Sequence, residues 1–292
     1  MRKHSSLPVF LLSGWLIFSG FKIIPQGADE ATLQKAQAGQ TLILNRQYAE
    51  AKKLFSDLMA QHPNSPLGSF GLMALYNAQM FENFDFSLDA AFEPIQRQNK
   101  ELVDRIDKDK NASAWDNFLC GASSGLRGFY FIRKDSNLKA LGEAKQARRC
   151  LERALEKDPR FMDVYLGLGL YDYWTGVFST RFKLFPIFKD RRKEGIAQMQ
   201  KAVQEGAIAN DLATVALLFV YQESRNGRQG LPLAATILQK YPHNVILLNM
   251  KGNFQSYLGQ HEQARGTFDQ VLKTDPAINV ARYYKAMDYY RA

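Results

Sequence analysis

Across Val245–Pro276 the chain reads VILLNMKGNFQSYLGQHEQARGTFDQVLKTDP, and its apolar and small residues fall at helical spacing. The pattern predicts two helices. Gly252 lies on the first and Gly259 closes it; Ala264 opens the second, and Phe268 follows one turn later. Pro276 ends the unit, because proline has no N–H with which to continue a helix. Gly252 and Ala264 are small enough to let two antiparallel helices approach closely, and Phe268 fills the space toward the next unit. His261 and the nearby carboxylates fall on exposed positions, so they read as solvated surface.

The same marks recur along the chain. Pro242 and Pro276 are 34 residues apart. Residues 32–65 carry Gly39, Tyr48, Ala51, Phe55 and Pro63 at equivalent places. Pro159 closes a further unit with Ala147, Ala154 and Leu155. The unit beginning at Met162 carries Tyr165, Leu168 and Gly169, then Gly195, Met199 and Ala202 on its second helix. DLATVALLFVYQE and LPLAATILQKYP form a degenerate pair, and NVARYYKAMDYYRA is a final helix. The chain thus divides into a leader (1–28), a first repeat with a following helix (29–81), a stretch that does not fit and reads as an irregular helical insertion (82–111), and a main array (112–292) interrupted by an inserted loop at 177–193.

These residues and their period resemble the tetratricopeptide repeat family over roughly residues 32–290. The resemblance implies an all-α fold, a right-handed superhelical solenoid of helical hairpins with about five degenerate repeats. It also implies a concave groove, lined by the first helix of each pair, that binds another protein or a peptide. The groove positions of the family fall on Leu166, Leu170, Tyr173 and Trp174 in one unit, and on Asn249, Asn253 and Tyr257 in another. With its N-terminal leader, the layout resembles uncharacterised bacterial envelope proteins of this family.

The leader has a basic start, Arg2 and Lys3, followed by an apolar run from Leu7 to Phe21. That is the pattern of a secretory signal. The cleavage site is poor, since Phe18 stands two residues before Gly20, so retention as an anchor over residues 7–24 stays open beside cleavage. Either reading places the bulk of the chain in the periplasm, soluble or tethered. The formal net charge is +9, of which Arg2, Lys3 and Lys22 supply three. Much of the rest is concentrated in FSTRFKLFPIFKDRRK, where Arg181, Lys183, Arg191 and Arg192 interleave with Phe182 and other phenylalanines. This loop suggests docking on a membrane surface or an acidic partner, as an alternative to the groove. Stacking on nucleic acid is disfavoured by the export signal.

Cys120 and Cys150 lie 16 residues before and 14 after a predicted turn at Ser136, and so are roughly level. An oxidising compartment permits a bridge. Two buried free thiols are the preferred reading, because spacing does not fix which way each residue faces. No metal-ligand spacing, phosphate loop or nucleophile–base set is present. The expectation is a non-catalytic protein without metal or cofactor. If the repeat reading holds, far-ultraviolet circular dichroism shows a predominantly helical chain. Gly252→Leu or Ala264→Leu then destabilises by about 1–3 kcal/mol in denaturant titration, through overpacking of the helix contact.

Overall fold

A computed structural model describes residues 24–181 and 189–292. Thirteen α-helices and no strand occur among the described residues. They are α1 (Glu30–Leu44), α2 (Tyr48–Gln61), α3 (Leu67–Glu82), α4 (Asp89–Lys108), α5 (Ala114–Arg133), α6 (Asn137–Lys157), α7 (Val164–Arg181), α8 (Arg192–Glu205), α9 (Asn210–Glu223), α10 (Gly227–Lys240), α11 (Val245–Tyr257), α12 (His261–Thr274) and α13 (Asn279–Arg291). They form six consecutive hairpins and a final helix, an all-α repeat solenoid. Each odd-numbered helix up to α11 is the inner member of its hairpin, and each even-numbered one the outer member.

Five of the six hairpin turns are built the same way. One residue takes the left-handed conformation: Arg46, Phe84, Asp135, Arg225 or Gly259. The N–H of the next residue returns to the carbonyl five positions back, from Gln47 to Leu42, Asp85 to Met80, Ser136 to Phe131, Asn226 to Tyr221 and Gln260 to Gln255. This closure satisfies carbonyls that the end of a helix leaves without partners. Only the last of the five uses glycine, so the sequence marks that turn alone. The turn at Phe84 corrects the reading of 82–111 as an insertion outside the pattern. That stretch supplies a normal turn and an outer helix, α4, which packs against α3 and α5. The hairpin count rises to six for this reason.

Glycines on the inner helices set the spacing between layers. A Cβ on Gly39 would lie 2.1 Å from the Phe55 ring, and one on Gly71 would lie 2.0 Å from it. Phe55 of α2 is therefore held between its own inner helix and the next. Leu151 of α6 sits in the same way between Gly121 and Gly167, at 2.4 and 2.5 Å from added Cβ atoms. A Cβ on Gly252 would meet Phe268 at 2.4 Å, and Ala264 is fully buried, as the repeat reading requires. Outer helices bury one stripe: α12 buries Ala264, Thr267, Phe268 and Val271. The inner helices α3 and α11 are buried nearly all round, 11 of 16 and 10 of 13 residues respectively. A helix buried on every side has neighbours on both sides, so the inner layer has partners across the axis as well as outside.

Those partners come from the far end of the chain. Leu44 of α1 belongs to the apolar core of the C-terminal half, with Tyr241, Leu247 and Leu248. Asn244 Nδ2 donates to the Leu44 carbonyl at 2.8 Å. The Asn279 backbone N–H donates to Asn83 Oδ1 at 2.9 Å. Arg46 binds both ends at once: Nε donates to Glu82 Oε1 at 2.7 Å, and Nη2 donates to Asp275 Oδ2 at 2.6 Å. Tyr48 Oη donates to the same Glu82 oxygen at 2.5 Å, and burial pushes its hydroxyl pKa up. Hairpin turns of the first repeats thus meet the inter-hairpin turns of the last. The coil comes round and stacks end-on upon itself.

Arg46→Met removes the cation that pairs Glu82, whose side chain is 8% exposed, and is expected to cost about 3 kcal/mol in denaturant titration. Combining it with Glu82→Gln recovers part of that loss. The hydrogen bond from Arg46 holds the Asp275 carboxyl below the usual carboxylate range. A lowered folded pKa contributes stability that is complete above the unfolded pKa of about 4 and is lost as the pH falls through the folded value. Asp275→Asn therefore shows a shallower loss of stability than the parent below about pH 4.

Candidate functional site

The residues expected to line an open groove lie where inner helices meet. Tyr173, Asn249 and Asn253 are buried, with relative exposures of 2%, 5% and 3%. Leu166, Leu170, Trp174 and Tyr257 are half-buried and pack on the C-terminal core. Tyr173 Oη donates to Glu223 Oε2 at 2.7 Å and so ties α7 to α9; burial, then this carboxylate, pushes its hydroxyl pKa up. Asn253 Nδ2 donates to Gln222 Oε1 of α9 at 3.4 Å. Asn249 faces a cavity of about 10 Å³ shared with Phe81, Phe84, Gln222 and Tyr284. Its Oδ1 has no partner there. A space that size takes a water, not a peptide.

Aromatic rings of three inner helices meet beside this cavity. The Phe81 ring of α3 meets Phe219 of α9 edge-on, with centroids 5.0 Å apart, and Phe129 of α5 lies 6.4 Å from Phe219. Tyr173, Asn249 and Asn253 therefore join helices to one another in this conformation and are not free to receive a partner. The sequence reading missed this because it treated each unit's inner face as open, while α8 and α9 cover Tyr173, α9 meets Asn253, and Phe81 and Phe84 of the first repeats lie beside Asn249.

Of the basic and aromatic set, Phe182 and Lys183 lie outside the described residues, as does the side chain of Arg181 at the end of α7. Arg191 pairs with Asp172 at 3.3 Å, and Arg192 with Asp190 at 2.7 Å. Hydrogen bonds from Arg192 pull the Asp190 carboxyl down to about 2. Both described arginines thus have carboxylate partners within the chain, which weakens the case for them as a free cationic patch.

Cys120 on α5 and Cys150 on α6 form a disulfide, with Cα atoms 5.9 Å apart. This corrects the preference for free thiols: both residues face the α5–α6 contact, where Val103 and Ile106 of α4 cover them.

The segment CGASSGLRG on α5 contributes to a buried polar cluster. Arg127, fully buried, donates to Asn99 Oδ1 at 2.6 Å, Ser124 Oγ at 3.0 Å and Glu143 Oε2 at 3.0 Å. Asn99 in turn donates to Ser69 and Ser123. The network joins α3, α4, α5 and α6, and it satisfies the buried charge. No group of three or more His, Cys, Asp or Glu residues that could hold a metal is present among the described residues.

Comparison with known families gives two matches, both to the tetratricopeptide repeat. One covers residues 37–65, the second half of α1 with α2. The other covers residues 136–171, α6 with the first half of α7. No curated protein matches the chain. Two segments in different parts of the array are thus similar to one repeat. Repeats of this type suggest a protein-binding scaffold and are typically non-catalytic.

The inner-face geometry changes what substitutions there do. Tyr173→Ala removes a buried ring and leaves Glu223 without its donor, so it costs about 3–5 kcal/mol in thermal or denaturant unfolding. Tyr173→Phe, which keeps the ring and loses the hydrogen bond, costs about 1 kcal/mol. A residue on an open groove would show neither loss.

Proposed function

We propose that the protein is a non-catalytic scaffold that binds another protein on the outer side of a bacterial inner membrane. The observation that carries the reading is the stack of hairpins, two segments of which are similar to the tetratricopeptide repeat. Such a stack offers broad, rigid helical faces against which another protein can pack. The Cys120–Cys150 bridge supports the compartment, since disulfides persist where the surroundings are oxidising. The basic, apolar leader of residues 1–28 supports it as well, and its residues 1–23 lie outside the described residues. No helix among the described residues is long and apolar enough to cross a membrane. Docking on lipid through the 178–193 loop is the weaker reading, because Arg191 and Arg192 are paired within the chain.

Because Tyr173, Asn249 and Asn253 are buried between helices, the surfaces a partner can reach include the convex face, the rims and the ends. An open groove of about 500 Å³ on the convex side, lined by Val203, Leu217, Leu233, Gln200, Gln204 and Arg228, is one such surface.

The test is photocrosslinking in intact cells from single positions on the convex face, the rims and the end helix. Recovery of the same envelope protein from neighbouring positions is the expected result. Failure at every position, or turnover of a substrate by the purified chain, overturns the scaffold reading. Alkylation of denatured protein from those cells checks the compartment. Cys120 and Cys150 should resist labelling until a reductant is added, and immediate labelling rules out the oxidising location.

A further inference from the structure

We infer that the groove between the outer helices α8 and α10 is a docking site for an extended segment of a partner protein, one with apolar residues at alternate positions and an acidic side chain at one end. This names the partner chemistry of the scaffold reading above and rests on it. Both helices pack on α9, and no hydrogen bond or ion pair joins one to the other. Two earlier intervals between outer helices are bridged. Gln146, Arg149 and Arg153 of α6 reach Asp107 of α4, and Asp172 takes both Arg148 of α6 and Gln198 of α8. Between α8 and α10 the interval stays open, as the groove of about 500 Å³.

Shape selects an extended chain. Val203 of α8 and Leu233 of α10 are half-buried walls, and Leu217 and Tyr221 of α9 form the floor. The floor residues are only 3% and 4% exposed, so the groove narrows toward its base. A helix is about 10–12 Å across with its side chains and would rest on the two crests. An extended chain is slimmer, since neighbouring strands lie only about 4.8 Å apart, and it sends every second side chain to one face. Those side chains can enter the groove. The rims supply what its backbone lacks, because its N–H and C=O groups need partners once they leave water. Gln200 and Gln204, one turn apart, line the α8 side, and Gln229 and Thr236 line the α10 side; all four are exposed. A side-chain amide both donates and accepts, and those of Gln204 and Gln229 are not taken up within the chain.

Charge fixes the occupant's end. Arg228 is the one charged side chain that lines the groove. It is exposed, and no carboxylate among the described residues pairs with it. Arg148, Arg149, Arg191 and Arg192, by contrast, each have a carboxylate partner. A guanidinium matches a carboxylate through two parallel N–H donors, so an acidic side chain completes this end of the site. Arg228 stands in the first turn of α10, which sets the direction of the bound segment. Its acid lies at that end, and its apolar residues run from there past Leu233 toward Thr236. The chain's own basic stretch at 178–193 would bring like charge to Arg228, which disfavours it as the occupant.

The test uses the full chain and a phage-displayed library of random peptides. Enriched sequences should share an aspartate or glutamate at one end and apolar residues at alternate positions. The most enriched peptide, made with capped ends and a fluorophore, should bind saturably in anisotropy; the caps remove a terminal carboxylate as the source of charge. Thr236→Trp, which fills the groove, and Arg228→Glu, which reverses its charge, should each weaken binding at least about tenfold. The melting curve should stay unchanged, since both positions are exposed. A lysine in place of the peptide's acid should abolish binding to the parent chain and restore it to Arg228→Glu. Absence of enrichment, enriched peptides without an acid, or binding indifferent to both substitutions overturns the proposal. A bound peptide that is helical by circular dichroism overturns it too. So does self-association of the parent chain in sedimentation that Thr236→Trp abolishes, by making a second copy the occupant. In cells, a photoreactive residue at position 204 should give an adduct within an acidic, apolar segment of an envelope protein, lost with Arg228→Glu. Adducts from other surfaces with none from position 204 overturn this docking site while leaving the scaffold reading intact.

Discussion

The structure depends on one packing constraint: a bulky apolar side chain from each of several outer helices must lie against inner helices that have almost no side chain at the point of contact. Phe55 between Gly39 and Gly71 is the clearest case, since a methyl group on either glycine would overlap its ring. Leu151 between Gly121 and Gly167 repeats it. Because one side chain touches both its own hairpin and the next, the contact fixes two quantities together, the closeness of the helices within a hairpin and the step from one hairpin to the next. A small step repeated six times becomes a coil. The hairpin turns serve the same end. In five of the six, a shared left-handed residue and return hydrogen bond keep the outer helix in register with its inner helix.

The coil is tight enough to meet itself, and that decides which surfaces are available. Arg46 joins Glu82 to Asp275, a residue 229 positions from the arginine itself. Phe81, Phe129 and Phe219 occupy the axis. Tyr173 and Asn253 reach α9 of a neighbouring hairpin, and Asn249 lies beside Phe81 and Phe84 of the first repeats. Here those side chains hold helices together. The open groove beside Val203, Leu217 and Leu233 lies away from this contact.

Much of the architecture was legible because the period is written in small residues and prolines. Gly252, Ala264, Phe268 and Pro276 stand where the packing needs them, and the 34-residue interval to Pro242 marks a neighbouring unit. The α3–α4 hairpin was not legible. Its turn rests on Phe84, a residue with no turn signature, and its outer helix α4 packs on α3 and α5 beside the Arg127–Asn99 cluster. In sequence, that cluster looks like unrelated serines, an asparagine, an arginine and a glutamate spread over four helices. The disulfide was left open for a similar reason: spacing put Cys120 and Cys150 level, while the facing of each depends on how α5 and α6 are rotated.

The division follows the range of the forces involved. The sequence by itself determined the local and the nearest-neighbour structure: helices, their ends, the hairpins, and the seats that let one hairpin stack on the next. Each of these depends on residues within about one repeat of each other, so periodicity records them. Only the tertiary structure decided whether the inner face is open or filled. That outcome depends on the accumulated rotation of six hairpins, and on whether Leu44, Arg46 and Asn83 arrive beside Asn244, Asp275 and Asn279. No single repeat carries that information, because a small difference in step, multiplied along the array, separates a coil that meets itself from one that does not.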